Sequence, residues 1–426
     1  MEDSRTRWKP ATRVAFRFLF PYFVLFSLTG HALRVIPFSE PFIRAYVRSW
    51  HAVIVWLDAH LLHTGYDFRM SDYATGGVSN AEFGWVLFLC YVALSAGVAA
   101  LWSVLDRRRG SYERLHAWFR LLLRFSLGLT LIHYGAIKVI PSQMIAPPPL
   151  GLLLQRVGEL SPMRMLWIFM GSSPAYESFT GMAEMAGGLL LLLPRTTLLG
   201  ALLCAADMTM VVVLNFSYDV HVKLLSMNLL AMALVLAAPD ARRLAGLFLF
   251  NRTVEPARTP PLSARPWLAR APHILLLLLG LYAAGKDLVY ARERYEKFHP
   301  PRPPLYGAWS VDRFEVDGRE VPMETDPERW RWILFGRPGG MMVKTAIDSN
   351  QGFIVAVDTR ARTLKLRRKS RPGDLAADFT FTEPGPDLLT LEGRLDGRAA
   401  RLALSRMPLD TTERFHWIFI PPEDER

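Results

Sequence analysis

The sequence predicts a fold in two parts: an α-helical polytopic membrane bundle, followed by a small antiparallel β-barrel-like domain. Three observations lead to this. Apolar runs of about 20 residues, enough to cross a bilayer core about 30 Å thick, recur through roughly the first 290 residues. Arginine and lysine gather in the short loops beside those runs, as a membrane protein's orientation requires. After Pro300-Pro301-Arg302-Pro303-Pro304 the long runs stop, and short β-rich stretches alternate with turn residues.

Seven segments have the length and apolarity of spans: Val14–Leu33, Phe83–Leu105, Leu121–Ile140, Tyr176–Leu193, Thr197–Phe216, Val222–Ala238 and Ile274–Val289. The first lacks a small-residue cleavage site and reads as a retained span, not a signal peptide. The fourth and fifth are separated only by Pro194-Arg195-Thr196. As one helix they would run for about 60 Å, about twice the membrane, so a hairpin at Pro194 is expected. Between the first two spans, Phe42, Tyr46, Trp50, Val53 and Leu57 recur at helical spacing, opposite a stripe of Arg44, Arg48, His51 and Asp58. This is either an amphipathic helix on the membrane surface or a cap packed on the bundle.

Orientation follows from loop charge. Arg5, Arg7, Lys9 and Arg13, then Arg107, Arg108, Arg109 and Arg114, then Arg195, then Arg242, Arg243, Arg252, Arg258, Arg265 and Arg270 fall on one side of a seven-span chain. That side is expected to be cytoplasmic, which puts the N-terminus inside and the C-terminal domain outside. Arg292, Arg294 and Lys297 oppose this, but one late cluster is outweighed by four earlier loops.

The last third contains Asp317-Gly318, Asp348-Ser349-Asn350, Asp358-Thr359-Arg360 and Asp396-Gly397 between β-rich runs. Phe353–Val357 and Thr363–Leu366 flank one of them as a hairpin would. Roughly eight strands in about 120 residues suggest a meander closed into a small barrel, either holding a ligand or packed with side chains. No metal-ligand spacing or nucleophile motif is present there, and His299 and His416 are far apart.

The 426 residues are 51% hydrophobic and carry a formal net charge of +11. The basic residues lie beside spans and form no stripe interleaved with aromatics, which argues against a nucleic-acid partner and leaves membrane lipids. Cys90 and Cys204 are the two cysteines, both within apolar runs and without a Cys-x-x-Cys. They read as structural thiols rather than a redox pair.

Ionisable groups inside spans are costly and ask for a partner or a task. Tyr134 and Lys138 share a helix face, with His133 beside them. Glu177, Gly181, Glu184 and Gly188 form one seam of the fourth span, where small residues allow close approach. Asp207 and Asn215 lie two turns apart in the fifth span, and Asp219 and Lys223 have i,i+4 spacing. All map to the outer half of one bundle. The group is either a binding site or a set of ion pairs, Lys138–Glu184 and Asp219–Lys223, that fixes helix register. A bis-histidine haem would need a second histidine at the depth of His133. His31 and His221 sit nearer the surface, so haem is not expected, and no metal is assigned.

His133-Tyr134-Gly135-Ala136-Ile137-Lys138, Gly181-Met182-Ala183-Glu184 and Leu214-Asn215-Phe216-Ser217-Tyr218-Asp219-Val220-His221-Val222-Lys223 resemble the DoxX-like membrane proteins, over approximately residues 115–240. The resemblance implies a four-helix core in the bacterial inner membrane. For the family's namesakes it implies association with quinone-linked oxidation of sulfur compounds. It carries over Lys138, Glu184, Asn215, Asp219 and Lys223. The chain then divides into N-terminal spans (1–114), the four-helix unit (115–240), a loop and last span (241–297) and the β domain (298–426).

Two functions follow. The first is a redox-linked subunit whose pocket binds a quinone head group and which works with a redox partner subunit. A Lys or His donor and a carboxylate proton acceptor are what a quinone carbonyl uses. The second is a non-enzymatic envelope protein, in which the bundle anchors a ligand- or protein-binding β domain or binds lipid. A transporter is disfavoured, since no repeat of broken helices is evident. No nucleotide fingerprint or nucleophile motif assigns a reaction.

Overall fold

A computed structural model describes residues 7–66, 82–144, 149–257, 260–324, 326–370 and 374–409. His416 lies outside them. The described chain packs as two units, Met1–Gln143 with Ala175–Arg292, and Met144–Pro174 with Glu293–Arg426.

In the first unit, α1 (Pro10–Ser27) starts with proline in its first turn, where the missing N–H is no loss. The expected span Val14–Leu33 does not continue as one helix. The N–H and hydroxyl of Thr29 both turn back to the Phe26 carbonyl, at 3.2 and 2.9 Å. A separate 3-10 turn, His31–Val35, then lays Ala32 and Val35 into a cluster with Leu129 and Ile132 of α4 (Glu113–Val139). Arg17 is buried within α1, and all three of its side-chain nitrogens donate. It donates to the Tyr112 hydroxyl at 2.7 and 3.1 Å, to Ser103 Oγ at 3.0 Å and to the Asp106 carbonyl at 2.7 Å.

The surface-helix segment forms α2 (Glu40–Leu57), packed against α3 (Glu82–Leu105). Its buried stripe is Ile43 and Ile54, with Tyr46 and Trp50 half-buried. Phe42 and Val53 of the expected stripe are exposed. Tyr46 shares a hydrogen bond with Tyr91 at 3.1 Å, and the Trp50 ring meets the edge of Tyr91.

The other long helices are α7 (Pro174–Leu192), α8 (Thr197–Ser217), α9 (Lys223–Ala237), which continues into α10 (Ala241–Phe248), and α11 (Pro266–Phe298). The break at 193–196 is the expected hairpin. Helix α11 outruns its apolar core at both ends: it runs through Pro272 near its start and stops at Phe298, just before Pro300-Pro301. Among the described residues, α3, α4, α8, Lys223–Phe248 and α11 are long and apolar enough to cross a membrane. Helices α1 and α7 are helical as expected, but carry Arg13 and Arg17, and Glu177 and Glu184, within 18 and 19 residues.

Glycines set how closely α4 and α7 approach. A Cβ added at Gly135 would lie 2.7 Å from the Gly181 carbonyl oxygen, and one at Gly188 would lie 2.7 Å from that of Gly128. The seven-residue spacing on both helices keeps the pairs in one seam, two turns apart. Helix α7 meets α8 in the same manner, with Gly187 against Cys204. Cys204 is buried there and Cys90 is half-buried on α3; both are free.

The second unit holds β1 (Gly307–Val316), β2 (Arg319–Glu320), β3 (Trp330–Arg337), β4 (Gly340–Thr345), β5 (Asn350–Asp358), β6 (Thr363–Arg368), β7 (Leu375–Gly385), β8 (Leu388–Leu395) and β9 (Arg398–Arg406). Apart from the short β2, which pairs only with β1, they form an antiparallel meander that closes through β1–β9 into an eight-stranded barrel. The turns act as read. Asp317-Gly318 and Asp396-Gly397 both have positive φ, the backbone that a two-residue hairpin matching strand twist requires. Val355 opposes Leu366 and Val357 opposes Leu364 around the Asp358 turn. The interior is filled by side chains, including Trp309, Trp330, Phe335, Phe353 and Phe379, as suits an eight-stranded barrel.

The segment between α4 and α7, which ends on α6 (Pro162–Gly171), belongs to this unit. Leu150, on the one-turn α5 (Leu150–Leu153), is buried against Ala308 and Leu334. Arg156 meets Asp348 at 2.7 Å.

Candidate functional site

Lys138 sits one residue from the end of α4, where a lysine would ordinarily extend to water. Its ammonium turns inward instead and pairs with Glu184 of α7, their side chains 8% and 2% exposed. The glycine seam makes this possible, since Gly181 lies against the Lys138 Cβ. Asp207 of α8 interacts electrostatically with both partners, and Tyr134 with Glu184. Glu184 Oε2 and Asp207 Oδ2 are buried and have no hydrogen-bond partner among the described residues. One cation and two acids thus share a poorly hydrated space. Such a set binds a polar head group or exchanges a proton more readily than a fully satisfied pair.

The other expected residues lie in three further places. Glu177 is fully buried in the first turn of α7 and accepts the Gln143 N–H at 3.2 Å. Asn215, Asp219 and Lys223 build the α8–α9 hairpin. The Asn215 side chain donates to Ser226 Oγ at 3.0 Å, its carbonyl accepts the Val220 N–H at 2.9 Å, and Asp219, with positive φ, pairs with Lys223. That pairing holds the exposed Asp219 carboxyl below the usual range.

His133 lies on the side of α4 that meets α11. It pairs through Nδ1 with Asp287 Oδ1 at 3.0 Å, and its ring stacks on that of His31, centroids 3.7 Å apart. The sequence expectation put His31 nearer the surface, at the end of a long first span. The helix ends at Ser27 instead, and the 3-10 turn folds His31 back onto α4. Rings in face contact leave no room for a macrocycle between them. His221 is exposed.

A cavity of about 950 Å³ opens where α1 and α11 begin and α7 and α9 end. Its lining includes Arg120, Arg124, Arg195 and Arg243 with His116 and His273, and none of the residues expected from sequence to form a site. Arg124 caps α7, donating to the Leu191 and Leu192 carbonyls at 2.7 and 2.8 Å; Arg120 donates to the Leu236 carbonyl of α9 at 3.0 Å. These arginines satisfy helix C-termini that would otherwise be left as bare carbonyls in an apolar setting.

A protein of Bacillus subtilis, the uncharacterized protein YwoB, is 31% identical to this chain over 150 residues, which is 86% of YwoB and 33% of the chain. The chain belongs to the YwoB family. Its remaining length, about two-thirds, lies beyond that match. No protein-family model and no solved structure matches the chain.

Sequence reasoning missed Asp287, set His31 aside as lying nearer the surface than His133, and missed the glycines Gly128 and Gly135 as the counterpart of the α7 seam. Asp287 carried a signal: it is a charged residue inside the span Ile274–Val289. The glycine spacing of seven, repeated in both helices, was also legible.

Proposed function

We propose that this YwoB relative is a multi-pass inner-membrane protein of the DoxX-like type, whose Lys138–Glu184–Asp207 group binds the head group of a quinone for a redox partner subunit. The observation that carries this reading is a buried lysine turned away from water toward two acids, each with an unpartnered carboxylate oxygen. Lys138 donates to one quinone oxygen. Reduction to the quinol takes two electrons, which come from the partner subunit, and two protons at the oxygens, which Glu184 and Asp207 are placed to relay. Seven spans, with the N-terminus cytoplasmic and the β barrel outside, complete the reading. A reporter active only outside the cytoplasm, fused at the C-terminus, should give signal; activity of a cytoplasm-only reporter there would overturn the topology.

The arginine-lined cavity favours a second reading, in which the bundle holds an anionic lipid and anchors the barrel. Solvent extraction of the purified protein separates the two. Quinone that co-purifies with wild type and is lost in Glu184→Gln supports the first. Anionic phospholipid without quinone, lost in Arg195→Gln with Arg243→Gln, supports the second.

A further inference from the structure

His31, His133 and Asp287 come from three distant stretches of chain, the 3-10 turn, α4 and α11. Each offers a ligand atom, and these atoms lie within 4.8 Å of one another. His133 Nδ1 is 3.0 Å from Asp287 Oδ1, and His31 Nε2 is 4.0 Å from the same oxygen. We propose that these three residues form a binding site for a divalent transition-metal ion, Zn²⁺ or Fe²⁺, independent of the Lys138 group.

The donor set is what such ions select. Two imidazoles and one carboxylate, with a further position open, describe catalytic zinc sites and non-haem iron sites alike. A tetrahedral ion with bonds of 2.0–2.1 Å holds its donors about 3.4 Å apart. The His133–Asp287 pair is already near that. The remaining separations close by about 1 Å, within reach of rotation of His31, whose side chain is 28% exposed.

A simple histidine–aspartate hydrogen bond leaves two observations without a cause. Asp287 is 5% exposed, and its Oδ2 is buried with no hydrogen-bond partner among the described residues. An orphaned carboxylate oxygen at that burial is expensive, and a bound cation removes the expense. The second imidazole, stacked at 3.7 Å, adds a ligand where a hydrogen-bonded pair needs none. Arg34 and Lys286 are the cationic neighbours of His31 and oppose an ion there. Arg34 lies 3.7 Å from Glu40, which offsets part of its charge. The exposed edge of His31 gives the ion a route in and leaves a position for water or an outside ligand.

The test uses full-length protein in detergent, stripped with a chelator and titrated with Zn²⁺, with Co²⁺ as a spectroscopic probe. One ion per chain is expected, with a visible Co²⁺ spectrum, and affinity should fall about tenfold or more in His133→Gln and in Asp287→Asn. Glu184→Gln should bind as wild type does, since it belongs to the other group. His31→Asn lies in a partly exposed turn and is expected to keep the fold, so its loss of affinity carries the test if the other two variants do not fold. Wild type that takes up no ion overturns the proposal, as do folded variants that all keep wild-type affinity.

Discussion

Lys138 and Glu184 form an ion pair whose side chains are almost completely buried, and a double-mutant cycle between them tests the cluster most directly. Lys138→Met removes the cation but leaves Glu184 in place at 2% exposure. Breaking a buried pair from one side costs about 3–5 kcal/mol in soluble proteins, and a single charge at mid-bilayer about 2.5–3.5 kcal/mol on insertion scales. A loss of about 3 kcal/mol is therefore expected. Glu184→Gln should cost less, because Asp207 also interacts with Lys138 and remains as a counter-charge. The double variant should recover about 1 kcal/mol or more relative to additivity, as residues in contact do. The assay is unfolding of the detergent-solubilised protein, followed by thermal melting or SDS titration, for the four members of the cycle. Additive effects would refute the reasoning, as would Glu184→Gln being the more damaging change. The cycle also bears on function. If the double variant is stable but no longer retains quinone, the cluster is a site; if stability and retention both return, it serves packing.

Three further outcomes are expected. Gly181→Ala would put a Cβ 2.5 Å from the Val139 amide nitrogen, a backbone atom that cannot move aside, and should destabilise by about 1–3 kcal/mol; Gly97→Ala, with no atom within 4 Å, should be neutral or mildly stabilising in the same melt. Residues 298–426 expressed alone should show β circular dichroism and cooperative melting, but at a lower temperature than the barrel in the full chain, because Leu150 no longer covers Ala308 and Leu334; a disordered spectrum would contradict an independent barrel core. For Asp348, desolvation raises the carboxyl pKa, but Lys344, Arg156 and Arg331 outweigh it and hold it below the usual range. A depressed carboxyl contributes stability above its unfolded pKa and loses it as pH falls, so the barrel should weaken on acidification, and Arg156→Ala should flatten that pH dependence.

Much of the architecture was legible because its signals are local. The apolar runs of α3, α4, α8 and α11, the break at Pro194, the switch to β-rich runs after Pro300 and the Asp-Gly turns each depend on residues close together in the chain. The Lys138–Glu184 pairing was also within reach. A lone buried charge is so costly that two facing helices carrying opposite charges, with glycines to bring them close, leave few other arrangements.

The end of α1 was not legible. Val14–Leu33 is mostly apolar, and α1 runs on through Arg17 and Pro21 within it; the helix stops at Ser27, where Ala32 and Val35 gain a packing site on α4. That choice carries His31 back to His133, and α11 brings Asp287 from 154 positions away along the chain. Composition likewise did not assign the segment between α4 and α7 to the barrel, where Leu150 finds its burial. Hydrophobic length and turn chemistry belong to the sequence alone, since they are set by bond geometry and by the solvent each residue prefers. Which distant side chains meet is decided only when packed helices offer one another surfaces, and the histidine–aspartate group exists for that reason.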